Sequence, residues 1–133
     1  MRGYHLIFDS ETQRCKVYSF ETHEKVFECE MHDAAVNGPG FDHWGRCPRG
    51  TYALAQRVSV HCPSMGEWFT PVLNVPGRAG IGIHGGGSDL PDPMAPKQGW
   101  ENTHGCLRVQ NADNAALTEI LRGVAAVLTV EGP

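Results

Sequence analysis

A mainly β domain with a single C-terminal helix is the fold class this sequence predicts, and three observations predict it. Sixteen glycines and nine prolines in 133 residues interrupt the chain too often for long helices. Short runs of β-branched and aromatic residues separated by polar turns fill the first half. Helical spacing of apolar residues is clear in one place, near the C-terminus. The length fits one compact domain over residues 1–133, large enough to bury a core without a disulfide or metal.

The elements follow in order. Residues 4–8 and 15–20 flank the polar turn at 9–13, and residues 25–31 alternate Phe27, Cys29 and Met31 with other side chains, as a half-buried strand does. Together these runs predict a β-meander. Residues 32–50 read as loop, with Asn37-Gly38-Pro39-Gly40 and Arg46-Cys47-Pro48-Arg49-Gly50 as breakers. Residues 51–60 predict one strand, 69–75 a shorter one limited by Pro71 and Pro76, and 79–84 a strand that ends on His84. Pro91, Pro93 and Pro96 make residues 88–98 an irregular excursion. A helix is predicted over 112–122, with Asn111 as its cap, Leu117, Ile120 and Leu121 as its apolar stripe and Gly123 as its stop. Residues 124–130 predict the last strand.

Charge and composition exclude several classes. The net charge is −4 and no basic stripe occurs, so the phosphate-neutralising surface of a nucleic-acid binder is missing. The opening residues carry only a short apolar run, too short for a secretory h-region or a membrane span. Five cysteines are an odd number at irregular spacings, which favours a reducing compartment over a disulfide framework. A cytoplasmic protein is therefore expected; the periplasm, or delivery as an effector, is the alternative.

The chemistry concentrates in Thr103-His104-Gly105-Cys106-Leu107-Arg108. A thiol becomes a nucleophile when a nearby histidine or backbone dipoles favour its thiolate. Gly105 lets the chain turn so that successive N–H groups converge on an oxyanion. Arg108 offers a cation for a substrate carboxylate, or a brace for the loop. His84, followed by Gly85-Gly86-Gly87, suits a general base whose second nitrogen is held by a backbone carbonyl such as that of Gly85.

These residues resemble the L,D-transpeptidase catalytic domain, the YkuD-like family. Its signature is a His, a variable stretch, then Ser/Thr-His-Gly-Cys followed by an aliphatic residue. Here it reads Ile83-His84, eighteen residues from Gly85 to Asn102, then Thr103-His104-Gly105-Cys106-Leu107-Arg108. Pro48-Arg49-Gly50-Thr51-Tyr52, Asn111-Ala112-Asp113 and Gly123-Val124 are also similar to family segments. The resemblance implies a β-sandwich or barrel-like domain with one C-terminal helix. It implies Cys106 as nucleophile, His84 as base oriented by Gly85, and His104 with the backbone of Gly105 and Cys106 around the oxyanion. Arg108 supports that site, and Arg108, Thr103 and Trp100 are expected to bind substrate, Trp100 closing a stretch (88–100) that has no counterpart among the family segments. The implied substrate is a peptidoglycan stem tetrapeptide, whose terminal D-Ala leaves as a Cys106 thioester forms.

Two activities share that thioester. Water as acceptor makes an L,D-carboxypeptidase of murein recycling, the expectation for a cytoplasmic protein. An amine acceptor makes an L,D-transpeptidase, and a phage or secreted wall-targeting effector would use the same fold. A binding module with a degenerate site is the non-enzymatic alternative. Zinc is the chemical rival at His84, His104 and Cys106, at His43 and Cys47, or at His61 and Cys62. No Cys or His pair stands at a recognised ligand spacing, so no metal and no cofactor are expected.

Overall fold

The computed structural model describes residues 2–33, 46–101, 103 and 105–132. Among these residues are nine strands, in two sheets, and one helix. The strands are β1 (Gly3–Asp9), β2 (Arg14–Ser19), β3 (Lys25–Glu30), β4 (Gly50–Ala53), β5 (Val58–Cys62), β6 (Gly66–Pro71), β7 (Gly82–His84) and β8 (Leu107–Arg108), followed by helix α1 (Asn111–Leu121) and β9 (Ala125–Glu131). One sheet has the order β3-β2-β1-β9-β4 and the other β5-β6-β7-β8. The mainly β architecture and the single helix match the expectation. Among the described residues no helix is long and apolar enough to cross a membrane.

β1, β2 and β3 form the expected meander, with antiparallel pairing throughout. β9 returns from the end of the chain to lie parallel to β1, with Leu6 opposite Leu128. Its other edge pairs antiparallel with β4. Alternate residues of each strand point to one face, and the inward set is Leu6, Phe8, Cys15, Val17, Cys29, Tyr52, Ala126, Leu128 and Val130. Ile83 and Leu107 from the second sheet and Leu117 and Leu121 from α1 complete the same core. Cys15 and Cys29, directly opposite each other in the β2–β3 ladder, are buried thiols of this layer.

The expected strand over residues 51–60 is two strands in different sheets. Leu54 bridges Val72 outside any named strand, and the Ala55 N–H reaches the Pro71 carbonyl. The chain thus crosses from one sheet to the other at Leu54–Arg57, and the run of β-forming residues carries no mark of that corner. β6 begins at Gly66, earlier than expected, because the tight turn at Cys62–Gly66 pairs it with β5. Arg57 ties the corner to the helix: its guanidinium lies 3.8 Å over the Trp68 ring and donates to Thr118 Oγ1 at 3.1 Å.

Asn111 is not the helix cap that the sequence suggests. It is the first helical residue, and Gln110 at the cap position makes no side-chain capping bond. The first N–H groups of a helix need partners from elsewhere, and the excursion supplies them. Gln98 Oε1 accepts from the Asn111 N–H at 2.7 Å, and the Pro96 carbonyl accepts from that of Ala112 at 2.9 Å. A glutamine twelve or more residues upstream, reached through an irregular segment, leaves no local signature.

Leu128 sits in the middle of the five-stranded sheet, fully buried and paired on both sides. Leu128→Ala is expected to lower the unfolding free energy by about 2–5 kcal/mol. Urea titration followed by circular dichroism measures this, and a loss under ~1 kcal/mol would contradict the central place given to β9.

Candidate active site

β7 and β8 place the two principal residues. They run parallel, with Ile83 opposite Leu107 and His84 opposite Arg108. Ile83 and Leu107 point into the core and are fully buried, so His84 and Arg108 share the other face. Cys106 immediately precedes Leu107 and therefore emerges on the His84 side, level with Gly82. Its surroundings agree with that placement. Cys106 Sγ lies 3.5 Å from the Gly80 carbonyl oxygen, and the Gly82 backbone favours its thiolate.

Gly82 and Phe69 form one feature of this face. A Cβ on Gly82 would stand 2.3 Å from the Phe69 ring, so only glycine admits that ring. Phe69 is opposite His84 in the β6–β7 ladder, and the two rings are stacked with centroids 6.0 Å apart. Nothing local in the sequence marks Phe69. Only the strand register brings it against His84.

His84 is 4% exposed, and its Nδ1 is 2.8 Å from the Gly85 carbonyl oxygen. A carbonyl oxygen only accepts, so Nδ1 carries the proton and Nε2 presents its lone pair. Burial pushes the His84 pKa down to about 4, the Gly85 hydrogen bond opposes that fall, and the charge of Arg108 adds to it. The imidazole is neutral at neutral pH. Burial also pushes the Cys106 thiol above the ordinary range, against the Gly82 backbone and the positive charges of Arg108 and Arg78. The resting site holds a neutral thiol and a neutral imidazole.

Arg108 is buried on this face and supports it from within. Its Nη1 donates to the Glu101 carbonyl at 2.8 Å, its Nη2 to that of Ser64 at 3.1 Å and its Nε to that of Gly85 at 3.4 Å. Glu101 Oε2 lies 3.9 Å from Nη1. Thr103 Oγ1 donates to the Cys106 carbonyl at 3.1 Å, closing the turn that carries the thiol. Gly105 in that turn has φ of 96°, a backbone conformation open to glycine. Trp100 stacks on His32, with ring centroids 4.0 Å apart. His32 in turn exchanges both backbone hydrogen bonds with Arg108, so the stacked pair borders β8. Nothing local in the sequence marks His32. His104 lies outside the described residues.

The glycines after His84 are required by close approach. A Cβ on Gly85 would stand 2.0 Å from Asn111 Oδ1, and one on Gly86 would stand 2.5 Å from the Gly66 nitrogen. The Gly85 N–H donates to Met65 at 3.0 Å and the Gly87 N–H to Pro63 at 2.7 Å. Among the described residues no three His, Cys, Asp or Glu side chains converge as metal ligands would.

A two-sheet domain in which a buried histidine ends one strand and a cysteine directly precedes its parallel neighbour defines a class. The YkuD family, the L,D-transpeptidase catalytic domain, matches residues 3–128, and the chain belongs to that family. Its fold is similar to that of the helical cell shape determining protein Pgp2 from Campylobacter jejuni, with a TM-score of 0.73 at 17% identity over 97% of this chain and 47% of that one. Bd1075 from Bdellovibrio bacteriovorus gives 0.67 at 19% identity, over 96% of this chain and 47% of that one. The catalytic domain of the E. faecium L,D-transpeptidase gives 0.60 at 15% identity and covers 98% of both chains. The chain thus spans about half the length of the first two structures. No curated protein sequence matches it.

The raised Cys106 pKa sets an expectation for thiol chemistry. The alkylation rate of Cys106 by iodoacetamide, read by peptide mass spectrometry, is expected to rise through a midpoint above the ordinary thiol value of about 8.5. A midpoint near neutrality would show instead a preformed thiolate–imidazolium pair.

Proposed function

We propose that this domain is a cysteine acyltransferase acting on peptidoglycan stem tetrapeptides. The observation that carries the reading is the pairing of β7 with β8, which sets Cys106 and a buried, neutral His84 with its Nε2 unprotonated on one face. In this reading His84 Nε2 takes the Cys106 proton as Sγ bonds to the carbonyl carbon of the bond preceding D-Ala. The backbone at Gly105 and Cys106, with His104, receives the oxyanion. The C–N bond then breaks, and His84 returns the proton to the departing D-Ala amine, leaving a thioester.

The other residues keep supporting parts. Gly85 orients His84, and the charge of Arg108 favours the thiolate. Trp100, with His32, and Thr103 border the side from which the acyl donor enters. The finer part of the proposal is that water resolves the thioester, making the domain an L,D-carboxypeptidase of soluble murein fragments in the cytosol. The odd, irregularly spaced set of cysteines supports that setting.

Incubation with a soluble disaccharide-tetrapeptide, followed by mass spectrometry, is expected to show release of D-Ala and the tripeptide product. Cys106→Ser is expected to abolish turnover in a folded protein, and His84→Ala to reduce it by roughly 10²–10⁴. Since His84 becomes a base as pH rises through its pKa of about 4, kcat/KM is expected to hold through pH 6 and fall only on approach to that value. A dimer formed with added acceptor amine, without D-Ala release in its absence, would overturn hydrolysis in favour of transpeptidation. Full activity of Cys106→Ser would overturn the acyltransferase itself.

A further inference from the structure

The Gly85–Gly86 peptide unit is held at both ends. Its carbonyl accepts from His84 Nδ1 at 2.8 Å and from Arg108 Nε at 3.4 Å. Its N–H, that of Gly86, donates to Asn111 Oδ1 at 3.0 Å. In a trans peptide the N–H and C=O point in opposite directions within one plane. Whatever fixes the N–H therefore fixes the direction of the carbonyl.

Asn111 is well built for that task. Its Nδ2 donates to the carbonyls of Pro93 and Ala95, both at 2.7 Å. Carbonyls only accept, so the amide nitrogen must face them and the oxygen must face Gly86. Its own backbone N–H is held by Gln98 Oε1 at 2.7 Å. Gln98 Nε2 donates to the Gly86 carbonyl at 3.3 Å and to that of Val109 at 2.9 Å. The side chain is thus anchored on the first turn of α1 and has one orientation.

We infer that Asn111 is a positioning residue for the catalytic base, acting through the Gly85–Gly86 peptide to hold His84 in the Nδ1–H tautomer. The inference rests on the reading of His84 as the base for Cys106. Both residues of this peptide are glycine, so little steric cost opposes its rotation once the N–H is released. A flipped peptide presents its N–H to Nδ1, which then becomes an acceptor. The ring proton moves to Nε2, and Nε2 can no longer take the proton of the thiol.

The test compares Asn111→Ala with the wild-type chain in three measurements. The kcat for the tetrapeptide is expected to fall roughly 10- to 100-fold, with KM changed less than about threefold. The ¹⁵N spectrum of the His84 ring is expected to pass from a single Nδ1–H tautomer to a mixture. In a His84→Ala background, Asn111→Ala is expected to cost nothing further, because two residues acting through one group are not additive. An unchanged His84 tautomer in folded Asn111→Ala overturns the inference, as do losses that multiply in the double variant. Should Asn111→Ala fail to fold, Asn111→Ser replaces it. That variant removes the Oδ1 acceptor of the Gly86 N–H while keeping a small polar side chain, and is expected to give the same mixture; a single Nδ1–H tautomer there overturns the inference too. Failure of the underlying reading looks different: His84→Ala alone would then retain full turnover.

Discussion

The Gly85–Gly86 peptide is the constraint on which the site depends. It closes β7, carries the acceptor for His84, and touches every element that surrounds the site. The turn at 63–66 holds the flanking N–H groups of Gly85 and Gly87, the start of α1 holds the Gly86 N–H, and Arg108 of β8 reaches the Gly85 carbonyl. A side chain on either glycine would collide with these partners. The peptide is therefore not a loop resting on a scaffold. It is the point where side chains of β8, the helix and the excursion converge on one stretch of backbone, whose polar groups would be costly to leave unpaired in a buried place.

Electrostatics follow from that packing. Removing both members of a thiolate–imidazolium pair from water costs several kcal/mol per ion (about that much even after relaxation), and burial moves both groups toward their neutral forms. Arg108 brings a permanent charge to the same face, donating to the carbonyls of Gly85, Glu101 and Ser64 with Glu101 Oε2 3.9 Å away. The thiol and the imidazole of such a site are thus held toward their neutral forms, with the Arg108 charge and the Gly82 backbone opposing that trend at Cys106.

The fold was legible where side-chain alternation meets one buried face. Phe27, Cys29 and Met31 marked β3, the stripe Leu117, Ile120 and Leu121 marked α1, and the meander followed from the turns between. The crossing at Leu54–Arg57 was not, because β-propensity reports a pleated half-buried surface and not the sheet to which it belongs. The two-residue strand β8 was hidden for a similar reason: Leu107-Arg108 is too short to show a period. Within the site, Cys106, His84 and the Gly85 acceptor were legible because their chemistry demands particular neighbours in sequence. Phe69, His32 and the true role of Asn111 were not. Each works through a partner far along the chain, and Asn111 in particular carried a local signal, that of a helix cap, which its tertiary hydrogen bonds override.

The long variable gap between His84 and Thr103 has a physical origin in the same sheet. β7 and β8 are neighbours and parallel, and parallel neighbours cannot be joined by a hairpin. They need a crossover of a dozen residues or more, usually a helix. Here the crossover is residues 85–106, and its described residues form no helix. Lacking helical hydrogen bonds, it must satisfy its backbone by other means. The clasp in which Gly99 and Gln110 exchange two hydrogen bonds, the Gln98 amide and the Asn111 side chain do this. The prolines reduce the number of N–H groups in need of partners. A connection required by parallel pairing thus also places Gln98 and the acceptors of Asn111, and its composition was unreadable because its order is held by partners outside itself.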